Sequence, residues 1–233
     1  MRSTIIAVFA AVLVLGLSVV AQAGTITYGP TLHNNGGALY LGYNVGTFEV
    51  PQFLDGPDDI LTSVLLRVKV ESYFGGLAFD NESSTTASVV LGIGAQVGVL
   101  GPEPVSGSRL IVSPTATETT TGFVTGDTES GFPDFIGTDS WSIYSPYAAS
   151  TMADSRTAAF DLAPYIGAGD VTFGFIGNTS TAGTGPLPDG GILTTPPYYK
   201  FTTTVEYTFT PEPATLSLLA LGGLLAMRRR RSK

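Results

Sequence analysis

A strict alternation of apolar and polar side chains near the C-terminal end constrains the fold more than any other feature. In the run from Phe201 to Phe209, one face carries Phe201, Thr203, Val205, Tyr207 and Phe209, and the other carries Thr202, Thr204, Glu206 and Thr208. Successive side chains of a β-strand point to opposite faces. The run therefore predicts a strand with a buried aromatic face and a solvent-exposed threonine face.

The same period of two recurs along the chain. Leu61–Glu71 places Val64, Leu66, Val68 and Val70 inward and Arg67, Lys69 and Glu71 outward. Val89–Val99 alternates in the same way, and Gly46–Val50 and Val171–Ile176 have the pattern of shorter strands. Turn-rich segments separate them, at residues 34–37, 55–59, 101–104 and 184–191.

No long window keeps a helical stripe. Ser150–Phe160 is the best helix candidate, for one or two turns, and the threonine- and glycine-rich residues 113–131 are expected to be a long loop or insertion. Strands separated by turns, without α/β alternation, predict an all-β, antiparallel two-sheet sandwich of the jelly-roll or immunoglobulin-like type. We expect this sandwich over residues 24–210, a length that suits one all-β domain.

The first 23 residues have the pattern of a signal peptide. Arg2 precedes an apolar run over residues 5–20, and small residues, Ala21 and Ala23, follow it. The run is shorter than the ~20 residues that span a bilayer. We therefore expect export and signal-peptidase cleavage between Ala23 and Gly24, rather than a permanent N-terminal anchor.

The body between the two ends is strongly acidic. Residues 24–210 contain five cations and eighteen carboxylates, a net charge of −13 against −8 for the whole chain. Nucleic acid and anionic membranes repel such a body, so we exclude both as partners of the folded domain. The chain has no cysteine and one histidine, His33, which excludes disulfides, thiolate metal sites and a histidine-based zinc site.

The last 23 residues have the pattern of a second targeting segment. Pro211, Glu212 and Pro213 should be extended, because proline interrupts helices and strands. A 14-residue apolar segment follows, which includes Ala214, Leu216, Leu218, Leu219, Leu221, Leu224, Leu225 and Met227. As a helix it would be about 21 Å long, short against ~30 Å of hydrocarbon. The cations Arg228, Arg229, Arg230 and Arg231 should stay in the cytoplasm and fix the body outside. On these grounds alone the tail is either a permanent or a transient anchor.

The order of these three elements closely resembles the PEP-CTERM sorting signal of Gram-negative bacteria. The resemblance covers residues 211–233 and is paired with the N-terminal signal peptide. It implies a short apolar membrane helix and processing near Pro211–Pro213 by an exosortase, a membrane-embedded cysteine transpeptidase-like enzyme. The catalytic residues of that reaction belong to the exosortase. Family members are often found alongside exopolysaccharide and biofilm loci.

The body is also similar to the choice-of-anchor E domains that precede such tails. The resembling segments are residues 50–53 with 60–64, residues 160–169 before Val171, and Val205–Phe209. Those domains are β-rich and of unassigned biochemistry. The resemblance thus implies an architecture and leaves the activity of the body open.

Recognisable catalytic patterns are few. Gly92–Gly98 resembles a nucleotide-binding turn, but its glycine spacing is one residue too long and no βαβ unit surrounds it, so we expect a glycine-rich strand face. Ser106 and Ser108 lack a nucleophile elbow, and His33 is expected to be a loop side chain.

Acidic and aromatic clusters give weaker candidates. Asp55, Asp58 and Asp59 place three oxygen donors in one turn, as either a calcium site or a solvated acidic turn. Trp141, with Tyr144 and Tyr147, is either a sugar-stacking platform or a packing group. A glycosidase would need two carboxyls about 5–10 Å apart in a cleft; the candidate groups are Asp80 with Glu82, and Asp127 with Glu129 and Asp134.

The expected function is that of an exported, non-enzymatic surface or extracellular-matrix protein. Its expected partners are signal peptidase, an exosortase and, transiently, the inner membrane. The alternative is an exopolysaccharide-binding sandwich with calcium as a candidate cofactor, and a secreted hydrolase is the third hypothesis.

Overall fold

The alternating segments form the longest strands of the fold. The computed structural model describes residues 23–34, 39–54, 59–104, 107–126, 133–144, 146–184 and 190–211. The strands are β1 (Gly24–His33), β2 (Tyr40–Leu41), β3 (Asn44–Pro51), β4 (Asp59–Tyr73), β5 (Gly76–Asn81), β6 (Ala87–Leu100), β7 (Ile111–Val112), β8 (Thr115–Val124), β9 (Ser140–Tyr144), β10 (Ala148–Arg156), β11 (Asp170–Thr184), β12 (Gly190–Thr195) and β13 (Tyr198–Pro211). A short helix α1 (Ala159–Leu162) and a 3-10 turn (Ala163–Tyr165) join β10 to β11.

Three antiparallel sheets result from the pairing of these strands. The first sheet has the order β1-β13-β4-β10, with β2 also beside β13. The second has the order β3-β11-β6, and β7 and β8 both pair with β6. The third is β12-β5-β9. The prediction of an all-β fold with antiparallel sheets is confirmed.

The main core lies between the first and second sheets. The predicted inward residues of β4, from Val64 to Val70, are 0% exposed. They pack with buried residues of β6, β11 and β13 such as Val97, Phe173 and Phe201. Burial of each such side chain contributes roughly 1.5–3 kcal/mol to the free energy of folding. This aliphatic and aromatic layer therefore holds the two sheets together.

A second, smaller core lies between the third sheet and the far half of β6. Leu77 and Phe79 from β5 pack with Val89 and Leu91 from β6, and Trp141 is partly buried against them. The long strand β6 therefore contributes to both cores through the single buried face that its alternation over Val89–Val99 predicts.

Two expectations from the sequence are wrong. Residues 148–156 form an edge strand that pairs with β4, so only residues 159 and 160 of the predicted helical stretch are α-helical, as the start of α1. Most of the threonine-rich segment expected to be a loop is β8, which pairs with β6 over ten residues. In both cases backbone pairing to a long neighbouring strand outweighs a weak side-chain pattern.

Candidate functional site

Both ends of the body leave the first sheet at the same end. β13 finishes at Pro211, which lies opposite Asp59 on β4. Gly24, the first residue of β1, lies opposite Phe209 on β13. The predicted signal-cleavage site between Ala23 and Gly24 is therefore on the strand next to the one that leads into the Pro-Glu-Pro segment. We call this end, formed by Gly24, Asp59 and residues 209–211, the sorting junction.

Phe209 fixes the end of β13 to the main core. Its ring lies 5.3 Å from the ring of Phe53, which is 1% exposed. The ring also covers Gly24, where any Cβ atom would overlap it. The last residues before the tail are thus held by side-chain packing as well as by strand pairing.

The connection between β10 and β11 closes the same end of the sandwich. The Phe53 amide donates to the Tyr165 carbonyl at 2.8 Å, and the Gly167 amide donates to the Phe53 carbonyl at 3.0 Å. Gln52 Nε2 donates to the carbonyl of Pro164, 112 residues away in sequence, at 2.9 Å. These contacts join residues 50–53 to residues 160–169, two of the segments on which the choice-of-anchor E resemblance rests.

An aromatic row crosses the outer face of the first sheet at its other end. Tyr73 on β4 lies opposite Tyr198 on β13, and the ring centres of Tyr73 and Tyr147 are 5.3 Å apart. Phe74 lies 6.3 Å from Tyr73 and 6.4 Å from Tyr198. Phe74, Tyr147 and Tyr198 are 56%, 55% and 38% exposed, so the row faces solvent.

Cations line the same face beside the aromatic row. Lys200 lies opposite Glu71, and Lys69 and Arg67 follow at alternate positions along β4. The Lys200 ammonium lies 4.7 Å from the centre of the Tyr73 ring, within the range of a cation–π contact. We call this surface the distal face; it consists of Arg67, Lys69, Glu71, Tyr73, Phe74, Tyr147, Tyr198 and Lys200.

Glu71 connects the polar groups of the distal face. Its Oε1 accepts hydrogen bonds from Lys69 Nζ at 3.0 Å and from the Tyr147 hydroxyl at 2.8 Å, and its Oε2 lies 3.6 Å from Lys200 Nζ. Burial opposes ionisation of this carboxyl, but the hydrogen bonds from Tyr147, Lys69 and Tyr73 and the nearby charge of Lys200 together lower the pKa of Glu71. The hydrogen bond to Glu71 raises the pKa of both Lys69 and Tyr147. At neutral pH the carboxylate is ionised and holds these side chains in position.

The two surfaces are well separated. β13 has 14 residues and joins Tyr198 in the distal face to Pro211 in the sorting junction. A strand rises about 3.3 Å per residue, so Tyr198 lies roughly 40 Å from Pro211 along the sheet. Arg67, the member of the distal face nearest to the sorting junction, lies opposite Thr204, roughly 23 Å from Pro211.

The structure divides the predicted Trp141, Tyr144 and Tyr147 platform. Trp141 packs on the second core with its ring against Gly122, which is the packing alternative. Tyr144 is 63% exposed on β9, and Tyr147 belongs to the distal face. Tyr73 was missed, although the period of two that places Glu71 on the outer face also places Tyr73 there.

His33 ends β1 instead of lying in a loop, so that placement was wrong. Its ring lies 4.4 Å from Phe48 and 4.6 Å from Phe201, and its Nε2 is 2.8 Å from Thr203 Oγ1. Burial between these groups lowers the pKa of His33. The histidine therefore packs between the first and second sheets.

The acidic candidates are only partly within the described residues. Asp59 starts β4 opposite Pro211, whereas Asp55 and Asp58 lie outside the described residues. Where the structure describes the chain, no three His, Cys, Asp or Glu side chains are grouped to hold a metal ion. The calcium site remains a hypothesis.

Asp80 is a structural anchor. It is 3% exposed, and its Oδ2 accepts hydrogen bonds from the Asp134 amide at 2.7 Å and the Phe135 amide at 2.8 Å. The carboxylate thus ties residues 134–135 to β5. Of the other acids proposed for a hydrolase, Asp127 and Glu129 lie outside the described residues.

A shallow groove crosses the outer face of the second sheet. It has a volume of about 180 Å³ and is lined by Val90, Gly92, Thr117, Thr119, Ser180, Ala182 and Thr184. Its lining contains glycine and hydroxyl side chains and no titratable group. The glycine-rich segment expected to be a strand face indeed lies on β6.

A second Pro-Glu-Pro sequence, Pro102–Pro104, follows β6. The Glu103 carboxylate is 81% exposed and lies 3.8 Å from Arg109 Nη1. Arg109 in turn donates to the Gly101 carbonyl at 2.9 Å and 3.1 Å. Because an apolar segment and an arginine cluster do not follow it, this copy provides an internal control for the C-terminal one.

Most of the predicted signal peptide and of the predicted C-terminal sorting segment lies outside the described residues. This applies to Ala21 in the signal peptide, to Glu212 and Pro213, to the apolar residues from Ala214 to Met227, and to Arg228–Arg231. Among residues that the structure does describe, none of the helices is long and apolar enough to cross a membrane.

Comparisons with known proteins identify the C-terminal segment. Residues 209–231 match the family model described as the PEP-CTERM protein-sorting motif. No curated protein matches the chain. The comparisons do not confirm the similarity of the body to choice-of-anchor E domains, which stays a prediction.

Solved structures give only remote likenesses. They include infectious bursal disease virus of the Gx strain and T=1 particles derived from infectious bursal virus, both 13% identical, and a VP2 subviral particle of infectious bursal disease virus, 14% identical. Each match covers 90% of this chain and 48–49% of the viral chain, so this chain spans about half their length, and each TM-score is 0.12. At that TM-score the likeness carries no argument.

The match begins at Phe209, within β13, and the last three residues of that strand are the first three of the matched segment. The chain therefore carries a PEP-CTERM protein-sorting motif that continues directly from the last strand of its fold.

Proposed function

We propose that this chain is an exported, non-enzymatic protein of the cell surface or extracellular matrix of a Gram-negative bacterium. Its C-terminal tail holds the folded body at the inner membrane for a time. An exosortase then cuts near Pro211–Pro213 and releases the body to its destination.

The observation that carries this proposal is the overlap of the motif with β13. Strand pairing continues as far as Pro211, and in the sequence Glu212 and Pro213 alone separate Pro211 from the apolar segment that starts at Ala214. An enzyme in the membrane that reads Pro-Glu-Pro would therefore meet it at the edge of the folded body. A cut after Pro211 leaves the whole of β13, and hence its contribution to the main core, intact.

The position of Gly24 supports the same arrangement. Because β1 and β13 are neighbours, the signal peptide and the sorting tail attach to one end of the first sheet. The signal peptide and the sorting tail can therefore lie in the same membrane while the body folds beside them. The account therefore needs no movement of the body between the two processing steps.

A non-enzymatic body agrees with the roles of the described ionisable groups. Asp80 holds a loop, His33 packs between sheets, and Arg156 pairs with Asp154 at 2.7 Å. The groove on the second sheet is lined by groups that cannot act as general acid or base at neutral pH. We keep hydrolysis as a third hypothesis for the acids outside the described residues.

Carbohydrate binding is a second candidate role for the exported body. It is favoured by the exposed rings and cations of the distal face, and it is compatible with sorting because that face is remote from the tail. Calcium stays a hypothesis for the turn that contains Asp59.

The two Pro-Glu-Pro copies allow a matched test of the sorting proposal. One variant replaces Pro211, Glu212 and Pro213 with alanine, and the control replaces Pro102, Glu103 and Pro104 with alanine. We expect the first to accumulate in the inner-membrane fraction and the second to reach the surface or medium like the wild type. Loss of the exposed Arg109–Glu103 contact should cost the control less than about 1 kcal/mol. Normal export of the first variant would refute the proposal.

A further inference from the structure

We infer that the distal face is a binding surface for an acidic polysaccharide, a polymer whose sugar rings carry carboxylates. The inference rests on the proposed function for its location, since a body released at the surface meets such polymers. The binding chemistry itself follows from the side chains of the face.

Positive charge in the body is concentrated on the distal face. Residues 24–210 contain five cations, and three of them, Arg67, Lys69 and Lys200, lie on the distal face. The other two have structural roles: Arg156 donates to the carbonyls of Ser108 and Arg109, and Arg109 donates to the carbonyl of Gly101. Glu71 and Glu206 are the carboxylates on the outer faces of β4 and β13 beside these cations. In a body with a net charge of −13, this is the surface that attracts an anion.

The rings of the aromatic row are exposed to solvent. Phe74 and Tyr147 are more than half exposed and Tyr198 is 38% exposed. Exposed aromatic groups that are contiguous, rather than scattered, mark interaction surfaces. Tyrosine offers an apolar ring face together with a polar hydroxyl, which suits a sugar ring with one apolar face and hydroxyls at its rim.

The polar side chains of the distal face are already held in position in the free protein. Glu71 bonds to Lys69 and Tyr147 and lies 3.6 Å from Lys200, and Lys200 lies over Tyr73. Long lysine side chains normally lose considerable entropy when a ligand fixes them. Because these contacts already restrict them in the free protein, less of that loss falls on binding.

The position of the face selects a polysaccharide over two other anionic partners. A membrane surface is disfavoured, since the aromatic row lies roughly 40 Å along β13 from Pro211, where the tail attaches. Nucleic acid is disfavoured because its dense phosphates would be repelled by the acidic body. A polymer with one carboxylate per sugar has a lower charge density and adds stacking surfaces at each unit.

The test is isothermal titration calorimetry of the mature exported protein with oligogalacturonate, with dextran oligosaccharides of similar length as the neutral probe. We expect binding to oligogalacturonate that weakens as salt is raised, and at least tenfold weaker binding to dextran. Replacing Tyr147 with alanine should weaken binding about three- to tenfold, since a stacked aromatic contributes roughly 0.5–1.5 kcal/mol. Replacing Lys69 and Lys200 with glutamine should weaken it a further few-fold and reduce its salt dependence.

Matched controls keep the result interpretable. Phe123→Ala removes an aromatic ring that is 76% exposed on β8, away from the distal face, and should bind like the wild type. Lys69→Arg keeps the charge and should retain binding. Far-ultraviolet circular dichroism verifies that each variant is folded.

Three outcomes would overturn the inference: no heat with oligogalacturonate, equal affinity for dextran, or full affinity in the Tyr147 and lysine variants. None of them depends on how the tail is processed. A protein that is sorted normally but does not bind would therefore refute this inference and leave the proposed function standing.

Discussion

The packing of Phe209 makes a direct prediction about the sorting junction. Phe209→Ala removes the ring that lies 5.3 Å from Phe53 and covers Gly24. A fully buried Phe→Ala change costs about 3–5 kcal/mol. Phe209 is partly buried, so we expect about 2 kcal/mol of lost stability. For a domain of this size that corresponds to a decrease in Tm of about 4–8 °C.

The measurement is thermal unfolding of the mature protein, followed by circular dichroism, with Phe123→Ala as the control. The control also deletes a phenylalanine ring, but from a residue that is 76% exposed, so it should change the free energy of unfolding by less than about 0.5 kcal/mol. Equal Tm changes in the two variants would refute the claim that Phe209 anchors the end of β13.

The same substitution should affect processing. Loss of the ring loosens the strand end that runs into Pro-Glu-Pro, so the tail becomes more accessible to a membrane-embedded enzyme. We expect the full-length precursor to disappear faster in a pulse-chase experiment than it does for the wild type. Slower processing would contradict this reasoning and would indicate that the enzyme reads the Phe209 side chain itself.

Three further predictions concern the body. Asp80→Ala should lower the free energy of unfolding in urea by roughly 3 kcal/mol, because two backbone amides lose a buried charged acceptor. The control Asp134→Ala, at an exposed site, should lower it by less than about 1 kcal/mol. Similar losses of stability in the two variants would contradict the role of Asp80 as a structural anchor. The pKa of His33 is lowered in the fold, so the unfolded chain takes up this proton first and Tm should fall as pH drops below about 6.5. His33→Gln should flatten that dependence between pH 7 and 5, and an unchanged slope would exclude His33 as its source. Chelation of divalent cations should leave Tm unchanged if the turn at Asp59 is a solvated acidic turn; a rise in Tm with calcium that Asp59→Asn abolishes would establish a site.

Alternation in the sequence predicts the strands that contribute most to the core. Apart from Thr203, the inward positions in Phe201–Phe209 and Val89–Val99 are aromatic or aliphatic, so the period of two is clear and the structure confirms it. β10 lacks that contrast because it is an edge strand, exposed along most of its length, with alanine and serine on both faces and methionine on one. Alanine and methionine favour helices, and the pairing with β4 that overrides this preference is absent from local sequence.

The sorting motif could be read from sequence because its order along the chain carries the information. The distal face could not, since its parts come from residues 67–74, 147 and 198–200. Only the register between β4 and β13, which sets Tyr73 opposite Tyr198 and Glu71 opposite Lys200, brings them together. Local patterns give the face on which each side chain lies, and they leave open which strands are neighbours.

The most direct test of the central claim is the intact mass of the exported protein from cells with and without the exosortase. We predict that the wild-type cells yield a protein that starts at Gly24 and ends within Pro211–Pro213. Cells without the enzyme should yield a protein that retains the arginine cluster and Lys233. The same C-terminus in both strains would contradict the account.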